Sequence, residues 1–152
     1  THIFRMYSIS FNKSLVQGLE LVDSNLIFPH EKVIDKKTSL LIDYLKTFNN
    51  SIIISSILCC SKSMVIIDGH HRFFALKKLG FKKIPVTKLN YSSSDIKTDH
   101  MEKFSKKDII NSGLRKEFME PKSTNHIVYC MKSKIWEPVI LLSSLFKLNF
   151  TK

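Results

Sequence analysis

Cysteine, glycine and proline are scarce in this 152-residue chain, with three, four and four residues respectively. Cys59 and Cys60 are adjacent, Cys130 stands apart, and no C-x-x-C pair occurs. Neighbours on a strand point to opposite faces, so the adjacent pair cannot act as one chelating or bridging unit there. Neither a disulfide framework nor a structural zinc site is expected, and a reducing, cytoplasmic setting is. With so little Gly and Pro there is no long linker, and no repeat is seen. Residues 1–152 therefore read as a single domain, with 43% hydrophobic residues to supply its core. Long apolar runs are also missing: none approaches the roughly 20 residues of a bilayer-spanning helix. The opening THIFRMYSISF lacks a basic segment followed by a long apolar one, so no secretory leader and no membrane partner is expected.

Acidic residues are outnumbered, 13 against 24 Lys and Arg, for a formal charge of +11. Such a surface attracts anions, among them nucleotides, phosphorylated metabolites and nucleic acid. The lysines are scattered singly and in pairs, as at Lys36-Lys37 and Lys82-Lys83, and most read as a solvated surface.

The chain alternates helical and extended patterns. Residues 3–11 suggest an edge strand, and 17–28 a short strand or turn leading to Pro29. Leu40, Leu41, Tyr44, Leu45 and Phe48 follow helical spacing and predict an amphipathic helix ending near Asn49. Ser51–Cys59 and Met64–Ile67 read as a strand pair around a polar turn. Phe73–Leu79 predicts a helix closed by Gly80, and Ile84–Leu89 another strand. A further helix follows, with Ser105 as the N-cap for 106–112. The fold class is therefore mixed α+β. The apolar 131–152 segment leaves three options open: a core helix, a partner-binding segment or an atypical terminus. Trp136, Phe146 and Cys130 are expected in the core, and His2 and His100 at the surface.

Chemistry concentrates at Asp68-Gly69-His70-His71-Arg72, where a β-branched strand gives way to a helix. A helix N-terminus presents free N–H groups and a positive dipole end, which favour phosphate. Gly69 permits close backbone approach. Arg72 can contact phosphate oxygens in bidentate fashion. His70 and His71 can touch phosphates or position a substrate, and Asp68 offers hard oxygen ligands to Mg²⁺. The plainer reading has Asp68 capping the helix and Arg72 pairing with it. Four polar groups packed around one glycine exceed what capping requires.

The turn, its Ala-Leu helix, Gly80 and Ile84-Pro85-Val86 resemble the ParB/sulfiredoxin superfamily. Sulfiredoxins carry a cysteine in this turn, where histidine stands here. ParB proteins carry an arginine-rich turn and a helical DNA-binding domain after it. The free L-serine kinases of the superfamily show Pro-His-Glu, then Asp-Gly-His-His-Arg, then Pro-Lys-x-Thr-x-His. This chain has Pro29-His30-Glu31, Asp68 to Arg72, and Pro121-Lys122-Ser123-Thr124-Asn125-His126, in that order. The resemblance covers about residues 20–130. Two departures are Ser51-Ile52 for the usual Pro-Ile and Asn125 for the usual Arg.

The resemblance implies a ParB/sulfiredoxin-like fold and a kinase acting on free L-serine with ADP or ATP and Mg²⁺. Glu31 would be the general base for the serine hydroxyl; in isolation it reads as a first-turn carboxylate facing a helix dipole. Asp68 would hold metal or orient substrate. Gly69, His70, His71, Arg72, Lys122, Ser123, Thr124 and His126 would bind nucleotide phosphates, although the 121–126 stretch alone reads as a solvated loop. The rival expectation is a non-enzymatic ParB-type module that senses nucleotide or binds DNA.

Overall fold

A computed structural model describes residues 7–99 and 103–150, and the backbone of 2–4. His100 and the His2 side chain lie outside the described residues. The elements are β1 (His2–Phe4), β2 (Val16–Asp23), α1 (Asp35–Lys46), β3 (Ser51–Ser55), β4 (Ile57–Cys60), β5 (Ile66–Asp68) and α2 (His70–Lys78). They continue as β6 (Lys83–Leu89), β7 (Ile96–Thr98), α3 (Lys106–Arg115), β8 (His126–Cys130), β9 (Ile135–Pro138) and β10 (Leu145–Asn149). The mixed α+β expectation is met.

The central sheet has the order β2-β6-β4-β5. Its one parallel pair is β4 with β6, and a parallel pair needs a long crossover. Here β5 and α2 supply it. β4 is buried on both faces by alternation: Ile57 and Cys59 enter one core, Leu58 and Cys60 the other. The first core adds Phe73 and Leu76 of α2 and Phe146 of β10. The second adds Ile96, Val128 and Leu142 from the far side of the sheet. α3 begins with a capping box between Ser105 and Asp108.

What reads as one strand, Ser51–Cys59, is two. Fully buried Ser56 divides them: its N–H donates to the Ser144 carbonyl (2.9 Å). Its hydroxyl meets Thr87 Oγ1 (2.6 Å) and accepts from Ser144 N (3.0 Å). β3 thereby leaves the central sheet and pairs with β10, in a second sheet ordered β1-β10-β3. The edge-strand expectation for 3–11 holds for His2–Phe4, while described residues 7–11 are irregular.

Of the options for the tail, a core helix is not formed. Residues 135–149 supply β9, a short 3₁₀ turn and β10. Phe146 is fully buried, as expected, and Cys130 is buried. Trp136 is not in the core: it is 37% exposed on β9, with Lys97 Nζ 4.1 Å above its ring. The α1 stripe also divides. Leu45 is buried, but Leu40 and Tyr44 are 59% and 61% exposed. Five apolar positions at that spacing span more than one face, and α2 covers only the side bearing Thr38, Leu41 and Leu45. Finally, α2 starts at His70, not Phe73, because Gly69 turns the chain at φ +108°. Among the described residues no helix is long and apolar enough to cross a membrane.

Candidate functional site

Two ladders position the Pro29-His30-Glu31 segment. Phe28 N donates to Met64 O (3.0 Å), and Phe28 O accepts from Ile66 N (2.8 Å), fixing it beside β5. On its other side, Met119 N donates to His30 O (2.8 Å) and Lys32 N donates to Met119 O (2.8 Å). α3 lies close behind: a Cβ on Gly113 would fall 2.7 Å from Val65 Cγ1. The segment thus reaches the end of β5, where the chain turns through Gly69 into α2.

A cleft of about 280 Å³ opens there, lined by Glu31, Ile67, Asp68, Gly69, His70, His71, Arg72, Lys122, Thr124 and Asn125. Eight of the ten residues singled out by sequence are in this lining. Ser123 and His126 are not. The Ser123 hydroxyl donates to Glu120 O (2.7 Å), which holds the 120–123 turn. His126 lies beneath the wall, 5% exposed, its Nε2 sharing a hydrogen bond with Tyr91 Oη (2.7 Å).

Gly69 is required twice over. Its φ of +108° suits glycine, and a Cβ there would sit 2.8 Å from Arg72 Nη2. Arg72 Nη2 donates to Ser56 O (3.1 Å) and lies 3.8 Å from Asp68 Oδ2. Its Nε is buried with no acceptor among the described residues, a donor an anion can use. Asp68 is partly enclosed, and burial raises its pKa above the usual carboxylate range. The Glu31 charge adds to this, and Arg72 opposes it.

The two histidines of the turn do not hang free. His70 Nε2 accepts from the backbone N–H of both His30 (3.0 Å) and Glu31 (3.2 Å). An acceptor nitrogen carries no proton, so His70 is neutral with its hydrogen on Nδ1. Burial agrees, lowering its pKa to about 3. His71 Nε2 accepts from Ile34 N (3.0 Å), just ahead of α1. Its pKa is lowered by burial and then by the charges of Lys37 and Lys122. With both Nε2 atoms occupied, the donors left in this turn are its backbone N–H groups, Arg72 and the histidine Nδ1–H groups.

Glu31, only 8% exposed, clamps the third segment. Its Oε1 accepts from Lys122 N (3.0 Å) and its Oε2 from Thr124 N (3.1 Å) and the Thr124 hydroxyl. Burial pushes its pKa up, but the His30 ring 3.6 Å away and the hydrogen bond from Thr124 outweigh it and hold it at about 2. Oε1 accepts one hydrogen bond against two at Oε2, and Glu31 lines the cleft. The clamp also holds Lys122 at φ +56°.

Sequence reasoning passed over His30 and Lys37. His30 is fully buried and bridges β5 to the 121–124 turn. Lys37, in the first turn of α1, has its pKa lowered by neighbouring Lys122. His30 had a legible signal. His30, His70 and His126 each belong to a different one of the three motifs, and their rings cluster, 4.6 Å and 6.4 Å between centroids. Lys37 had no signal among so many lysines.

Cys59 offers no alternative chemistry. It is fully buried on β4, and burial raises its thiol pKa far above neutrality.

The sequence has counterparts among known proteins. The chain is 37% identical over 78 residues to a ParB-like protein of Sulfolobus acidocaldarius, covering 51% of this chain and 38% of that protein. It is 34% identical over 80 residues to an ATP-dependent L-serine kinase of Desulfurococcus mucosus, covering 51% and 31%. With an ADP-dependent L-serine kinase of Thermococcus kodakarensis it shares 32% over 74 residues, covering 45% and 29%. Its relatives are ParB-like proteins and L-serine kinases. The chain spans less than two fifths of the length of each. Among solved structures, a free serine kinase in complex with AMP matches with 28% identity and a TM-score of 0.48, over 62% of this chain and 39% of that one. No protein-family model matches the chain.

Proposed function

We propose that this protein phosphorylates free L-serine, moving a phosphoryl group from ADP or ATP to the side-chain hydroxyl to give O-phospho-L-serine. The observation that carries the reading is convergence. Segments around residues 30, 70 and 123 meet in one cleft, in the combination expected of serine kinases.

Phosphoryl transfer needs charge neutralisation, in-line placement and a destination for the hydroxyl proton. Arg72, Lys122 and Lys37 supply positive charge around the cleft, and the first N–H groups of α2 lack intrahelical partners. Asp68 supplies a carboxylate beyond them. Mg²⁺ commonly takes one or two protein carboxylates and completes its shell with phosphates and water. A lone under-neutralised Asp68 fits that pattern, since the described residues form no cluster of three metal-ligating side chains. The ion, held at Asp68, would screen phosphate charge. Glu31 faces the cleft through Oε1 and takes the serine proton there.

The test is incubation with serine, Mg²⁺ and each nucleotide, followed by mass spectrometry. Phosphoserine is expected with at least one donor, and Glu31→Gln is expected to lose turnover by 100-fold or more while retaining nucleotide binding. Absence of product from folded protein with every nucleotide overturns the reading. The charge of +11 and the ParB-like relative favour the second reading, a nucleotide-sensing or DNA-binding module. That reading expects DNA affinity falling steeply with salt.

A further inference from the structure

The buried hydrogen bonds beneath the cleft lack one hydrogen. His30 Nδ1 lies 2.6 Å from Ile66 O. A carbonyl can only accept, so Nδ1 carries a hydrogen. His30 Nε2 lies 2.7 Å from Thr124 Oγ1, and that hydroxyl also bonds Glu31 Oε2. One hydroxyl has one hydrogen and cannot donate to both. With a neutral His30 and an ionised Glu31, two lone pairs would face each other across one of these contacts. His30 is 0% exposed and Thr124 3%. An unmet acceptor at that depth is costly. Among the described residues no further donor is in place: Thr124 N is already given to Glu31 Oε2, and His70 Nε2 near His30 is an acceptor.

We infer that His30 and Glu31 hold one shared proton through the Thr124 hydroxyl, making His30 a positioning residue that fixes the charge and orientation of Glu31. With the proton on His30, Nε2–H donates to Thr124, whose hydroxyl donates to the Glu31 carboxylate. Every donor and acceptor is then matched, and His30 Nε2 stands 3.6 Å from Glu31 Oε2 as an ion pair. With the proton on Glu31 the chain of bonds runs in reverse, again fully matched. Both arrangements have the same number of protons, so the proton belongs to the pair. The other ionisable groups around His30 are His70 on α2 and His126 on β8, with Asp68 beyond at the end of β5. His70 is neutral, and His126 is held by Tyr91 with a pKa lowered by burial to about 3. Neither supplies the missing hydrogen.

The inference rests on the kinase reading for its catalytic meaning but not for its test. Protein labelled with ¹⁵N-histidine is examined by NMR across pH. At neutral pH the His30 ring is expected to show protons on both nitrogens, with the Nε2 proton exchanging slowly. Glu31→Gln and Thr124→Val are each expected to remove the Nε2 proton signal. A His30 Nε2 without a proton in the wild-type protein, or a signal unchanged by Glu31→Gln, overturns the inference. Kinetics supply the second readout. His30→Asn keeps a donor for Ile66 O but stores no proton; it should lower kcat tenfold or more with nucleotide Kd unchanged. A wild-type protein that shows the NMR signature yet makes no phosphoserine would sink the kinase reading alone.

Discussion

Glu31 is a carboxylate whose solvent has been replaced by three hydrogen bonds from the segment it faces. Its pKa lies at about 2, against an ordinary 4.5. A depressed acid contributes stability that is fully present above the unfolded value and is lost as pH falls through the folded one. The difference corresponds to about 3 kcal/mol. Thermal denaturation should therefore show Tm dropping between about pH 4.5 and pH 2, and Glu31→Gln should flatten that drop while lowering Tm at neutral pH. An equal acid slope in both proteins would mean the clamp contributes nothing. The sequence marks Glu31 only as an acid near the start of a helix. That it clamps residues 91 and 93 positions away depends on where α3 returns the chain, which local pattern does not encode. His70 is a similar case. A histidine beside a helix-opening glycine reads as a ligand contact, but its Nε2 is taken by two backbone donors.

Elements were most legible where a turn residue announced them. Gly80 closes α2 and Ser105 opens α3, as the sequence implies. The break at Ser56 was hidden because Ser-Ser inside a β-branched run looks like ordinary alternation. Only the partners Thr87 and Ser144 make it a corner. The tail was opaque for a related reason. Short apolar runs do not distinguish strand from helix, and β10 exists because β3 offers it an edge. If β10 belongs to the core, its truncation should be costly and that of β9 should not. Phe146→Ala should destabilise by about 3–5 kcal/mol in chemical denaturation, and Trp136→Ala, which has solvent on one side, by about 1 kcal/mol or less. Equal costs would contradict this assignment of the tail.

At the scale of the whole molecule, three segments far apart in sequence are held to one point. The antiparallel pairing of β5 with β4 sets the turn into α2, a two-sided backbone ladder sets Glu31, and Glu31 in turn holds the loop carrying Lys122 and Thr124. The positive charge surrounds this cleft without being confined to it, so charge alone does not separate a nucleotide enzyme from a nucleic-acid binder. The sequence relationship covers about half the chain. Structure determination with bound nucleotide and serine is the most direct test that this cleft is where the two meet. The account predicts nucleotide phosphates against the N-terminus of α2, within reach of Arg72 and Lys122, and the serine hydroxyl within hydrogen-bond distance of Glu31 Oε1. Nucleotide seated away from Gly69–Arg72, or serine beyond the reach of Glu31, would contradict it.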